Sequence, residues 1–99
     1  MTSRNNLLAV CIRTLEEYLA PDRMSNQTLI RARAWVASWI YGGGTMLPEL
    51  DPLVVECARW AFVDMCTAQG PDLQSQLPGQ SEPWYPKISA LHELSPAAA

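Results

Sequence analysis

An all-α fold is predicted by two features: three apolar-periodic segments each closed by its own cap or stop, and no alternating apolar run of the kind that makes a half-buried strand. The expected architecture is a small bundle of three main helices in residues 1–70. A proline-rich strap and C-terminal tail, residues 71–99, follows, with room for a short fourth helix after Pro86.

In the first segment Leu8, Cys11, Ile12, Leu15, Tyr18 and Leu19 recur at helical spacing on one arc, with Arg13, Glu16 and Glu17 outside it. Pro21 ends that helix, because the residue before a proline is pushed out of the helical region. Ser25 is a good N-cap for a second helix over residues 26–41, and the glycines at 42–44 stop it. Asp51 and Pro52 place an N-cap and a first-turn proline at the start of a third helix, which Gly70-Pro71 closes.

Around the second helix, Leu29, Ala32, Val36, Trp39 and Ile40 share one face, and Ile30, Ala34, Ala37 and Tyr41 form a second with smaller side chains. The apolar arc of the third helix covers roughly 240° of its circumference, where a core-facing helix needs only about 100°. Two such helices in a chain of 99 residues hold more apolar surface than so small a domain encloses, which predicts an association site and a two-fold homodimer. The partner-binding candidates are Arg31 and Trp35 on the second helix and Val55, Phe62 and Cys66 on the third. Trp35, at the rim beside Arg31, is expected to anchor a partner, and Trp39 to belong to the core. The alternative is that Trp84, Tyr85, Ile88, Leu91 and Leu94 of the tail cover the surplus.

Two charges fall inside apolar arcs: Arg33 beside Ile40, and Asp64 between Leu53 and Cys57. Either they pair across the helix interface, or Arg33 reaches water along its own stem. Met46, Leu47 and Leu50, after the glycines, are expected to pack back on the bundle. Residues 71–83 read as a linker or extended strap.

Several chemistries are disfavoured. A net charge of -3 and scattered cations speak against nucleic acid and anionic membranes as partners. "GGGTMLPEL" lacks the lysine and the preceding strand of a phosphate-binding loop, and the connection from Gly42 to Asp51 is too long for a DNA-reading helix-turn-helix. Cys11, Cys57 and Cys66 form no CxxC pair, and the one histidine, His92, lies far away in the tail, so no metal site, cofactor or catalytic centre is expected. Cys11 and Cys57 read as buried small apolar residues, Cys66 as an exposed thiol near a helix end. "LLAVC" at residues 7–11 is too short, and Val10 too bulky, for a lipoprotein signal, so a cytoplasmic protein is expected.

"LIRARAWVASWIYGGG" followed by "DPLVVECARWAFVDM" resembles the small quorum-sensing antiactivators of Pseudomonas in size, helical character and texture over residues 5–69. The resemblance implies an inhibitor that binds a LuxR-type transcription factor stoichiometrically and occupies its dimerisation surface, and is itself a dimer. It carries over no binding residue. The other class open to such a chain is a small helical immunity or phage assembly protein.

Overall fold

Ser3 opens the first helix by accepting the Asn6 N–H on its hydroxyl oxygen at 3.2 Å, satisfying one of the donors that a helix start leaves free. In the computed structural model, which describes residues 3–43 and 46–70 together with Leu73, Leu77, Pro78 and Pro86, this helix is α1, Arg4–Tyr18. A 3-10 turn at Pro21–Arg23 follows, then α2 at Asn26–Tyr41 and α3 at Pro52–Gln69; no strand occurs among the described residues.

The punctuation read from sequence is the punctuation observed. Ser25 Oγ accepts the Thr28 N–H at 3.1 Å, and an Asp51 carboxylate oxygen accepts the Leu53 N–H at 2.9 Å ahead of Pro52 in the first turn. Gly42 closes α2 with φ of 81°, and its N–H donates to the Ser38 carbonyl. A side chain at Gly42 would be strained by that backbone and would also come within 3.3 Å of Pro78.

Two contacts set the helix directions. The Tyr41 hydroxyl, at the end of α2, hydrogen-bonds Asn5 at the start of α1. The Cys57 thiol, early in α3, lies 4.0 Å from the Tyr18 carbonyl at the end of α1. Helix α1 therefore runs antiparallel to both partners, and the connection after Gly42 travels back along the bundle before α3 begins. At that near end Arg23 forms a salt bridge with Asp51, tying the α1–α2 connection to the cap of α3.

The core gathers Leu7, Cys11, Ile12, Leu15 and Leu19 from the α1 region, Ala32, Val36, Trp39 and Ile40 from α2, and Val54, Ala58, Ala61, Phe62, Met65 and Cys66 from α3. At its centre the fully buried Trp39 meets Phe62 edge-on, with ring centroids 5.3 Å apart, and Trp35 at 6.5 Å. Such geometry adds roughly 0.5–1.5 kcal/mol per aromatic pair beyond the burial of the rings.

Several side chains depart from the wheel read along the sequence. In α1 Leu7 is buried while Leu8 is only half-buried, and Tyr18 is exposed. Leu50 does pack against the core and Leu47 is half-buried, whereas Met46 is 93% exposed. The strap is not apolar-free: Leu77 is buried in the core and Leu73 packs against it, so the chain past α3 is pinned to the bundle at those two residues. The tail residues proposed as a cover, Trp84 to Leu94, lie outside the described residues, as does His92.

Candidate interaction surface

The five residues selected from sequence are not brought together on one open face. Phe62 has no exposure, its ring packed edge-on against Trp39 of α2, and Cys66 has almost none, lying beside Cys11 of α1; Val55 is buried too. Arg31 is exposed. Trp35 is half-buried, and its indole N–H donates to the Pro48 carbonyl at 2.9 Å. That bond fastens the returning connection to the flank of α2, so Trp35, expected at the rim of an interface, also holds this protein's own chain together.

The expected Arg33–Asp64 pair does not form. Arg33 is exposed on α2, and Asp64 is exposed on α3, where it accepts a hydrogen bond from the Tyr18 hydroxyl of α1. Neither charge enters the dry interface that would have forced a pairing, so both remain solvated. The Tyr18 phenol is pushed up to about 12, first by the hydrogen bond to Asp64 and then by burial and the negative charge of that carboxylate.

The thiols are also redistributed. Cys11 and Cys66 are buried, and all three cysteines are free. Burial, with the neighbouring Cys66 adding to it, pushes the Cys11 thiol far above its usual range, so it stays protonated and unreactive. Cys57, expected inside, is the half-exposed one, with its thiol also raised, chiefly by desolvation. No group of three or more metal-ligating side chains gathers among the described residues. Among those residues, too, no helix is long and apolar enough to cross a membrane.

What remains open is the second face of α2. Ile30 is 67% exposed and Tyr41 39%, Ala34 is exposed and Ala37 half-buried, so an apolar strip runs nearly the full length of the helix in water. At about 100° per residue, Arg33 falls on one edge of this strip and Arg31 beyond the other. Both arginines are exposed, neither forms an ion pair among the described residues, and α2 contains no carboxylate at all. The Tyr41 hydroxyl bond to Asn5 holds the aromatic ring at the end of the strip in place.

Sequence reading identified this second face but did not select it. The missed signal was charge: an apolar stripe with cations on both edges and no acid within sixteen residues differs from an ordinary solvated helix face, where both signs alternate. On α3 the arc chosen instead is largely enclosed. There Arg59, half-buried between Val55 and Val63 on the same side, has its Nε withdrawn from water with no hydrogen-bond partner among the described residues.

No family model matches the chain, and no curated protein or solved structure does either.

Proposed function

We propose that this chain is a non-enzymatic protein-protein interaction module that sequesters a regulatory protein by occupying its dimerisation surface, the target being a cytoplasmic transcription factor of the LuxR quorum-sensing type. One observation carries the reading: the apolar strip Ile30–Ala34–Ala37–Tyr41 stays in water on a helix whose other side is core. Contiguous exposed apolar surface rimmed by polar groups marks association sites, since its burial against a partner is the favourable term in binding. A sequestering protein needs such a face and no reactive group. The resemblance over residues 5–69 to quorum-sensing antiactivators supplies the class of target.

The test is a titration of the protein into the purified, ligand-loaded ligand-binding domain of a LuxR-type regulator, followed by sedimentation velocity. The regulator's homodimer should give way to a mixed complex as the protein approaches equimolar amounts, and Ile30→Asp should abolish the conversion. A regulator that stays dimeric with the protein in excess would defeat this reading.

A further inference from the structure

Building on sequestration as the function, we infer that the α2 strip receives an amphipathic helix that carries carboxylates along both edges of its own apolar stripe. The geometry of the strip specifies a helix. Ile30, Ala34, Ala37 and Tyr41 follow the i, i+4, i+7, i+11 spacing of one helix face, with the larger side chains at the ends and alanines between them. Small residues in the middle let a second helix approach closely, and the end residues bracket it as knobs.

Charge then distinguishes the occupants. A second copy of this chain would meet the strip through an isologous two-fold contact. With Arg33 on one edge and Arg31 beyond the other, either direction of the two-fold sets cation against cation, because no carboxylate on α2 intervenes. Like charges so placed across an interface oppose association. The molecule carries a net charge of -3, so the two unpaired arginines form a local positive rim on an acidic protein. An acidic helix satisfies both guanidinium groups, which bind carboxylates in a planar fork, while its apolar stripe covers Ile30 and Tyr41.

Two synthetic helical peptides with one apolar stripe decide it, one flanked by glutamates and one by lysines, each titrated into the full-length protein by isothermal calorimetry. The glutamate peptide should bind at least about tenfold more tightly than the lysine peptide and lose that advantage as salt is raised. Arg31→Glu with Arg33→Glu should reverse the preference without changing the thermal melt, since both side chains are exposed. Ile30→Asp should weaken the glutamate peptide about tenfold or more. Equal binding of the two peptides, no binding of the glutamate peptide, or a preference that survives the double charge reversal would overturn the proposal. So would a homodimer in sedimentation equilibrium that Ile30→Asp dissolves, because the strip would then belong to a second copy. Positive regulator titration with negative peptide titration removes the acidic helix and leaves sequestration standing; the opposite pair of results removes sequestration alone.

Discussion

Helices α2 and α3 both carry more apolar surface than one core contact requires, yet they end differently. Helix α3 is drawn inside: Val54, Val55, Ala58, Ala61, Phe62, Val63, Met65 and Cys66 are all buried, leaving Leu53 in its first turn as the exposed large apolar residue. Helix α2 buries one side through Ala32, Val36, Trp39 and Ile40 and presents Ile30, Ala34 and Tyr41 to water. The lesson is that surplus hydrophobicity measures how much surface seeks cover, whereas position in the bundle decides which surface finds it. Helix α1 lies against both helices, and the edge of α2 nearest Pro48 is tied to the returning connection, so the side of α2 left over is one that α1 touches at its end, where Tyr41 meets Asn5.

The sharpest way to break the comparison is to truncate one large side chain on each helix. Phe62→Ala removes a fully buried ring that meets Trp39 edge-on and should destabilise the fold by about 3–5 kcal/mol. Ile30→Ala, on the open strip, should change stability by less than about 0.5 kcal/mol. Urea unfolding of both variants measures the gap; comparable losses would mean that the α2 strip is core after all.

Trp35 stands on the boundary between the covered and open sides of α2, and its loss should fall between those extremes. Trp35→Ala removes a half-buried ring, its edge-on contact with Trp39 and the bond to Pro48, for an expected loss of about 2 kcal/mol. In Trp35→Phe a smaller aromatic ring stays and the donor is lost, so about 1 kcal/mol should go. Unfolding curves for the pair separate the contribution of the ring from that of the hydrogen bond, and an Ala variant as stable as the parent would return Trp35 to the list of interface residues.

The smallest effect lies at the exposed end of the α1–α3 seam. Because the Tyr18 phenol is raised to about 12, the neutral form is the one the fold favours. Its contribution should be complete below the unfolded value near 10 and disappear as pH rises through 12. The stability difference between parent and Tyr18→Phe, about 1 kcal/mol or less for an exposed hydrogen bond, should therefore hold from neutral pH to about 10 and shrink above it. A difference independent of pH up to 12 would show that the Tyr18–Asp64 bond contributes nothing.

Helix boundaries were legible because they follow from local chemistry. A serine hydroxyl reaches the N–H three residues on, a proline suits only the first turn, and a glycine alone accepts φ of 81° or 134° without strain. Each of these is settled within four residues of chain, so Ser25, Gly42, Asp51, Pro52 and Gly70 mark the same ends in sequence and structure. The core face of α2 was legible too, since Val36 follows Ala32, and Trp39 and Ile40 follow Val36, by three or four residues; Leu29, at its start, is half-buried.

Tertiary packing alone decided the rest. Nothing near Asp64 in sequence indicates that Tyr18, 46 residues away, is its hydrogen-bond partner in place of Arg33, and nothing around Leu77 marks it as core in a proline- and glutamine-rich strap. Periodicity likewise could not say that Cys66 is buried and Cys57 half-exposed, or that the α3 arc would be covered and the α2 strip left in water. The physical reason is common to all of these. A helix wheel records which residues share a side of one element, whereas burial depends on which other elements arrive there, and that is fixed by the direction of α1 against its two partners and the path of the chain after Gly42.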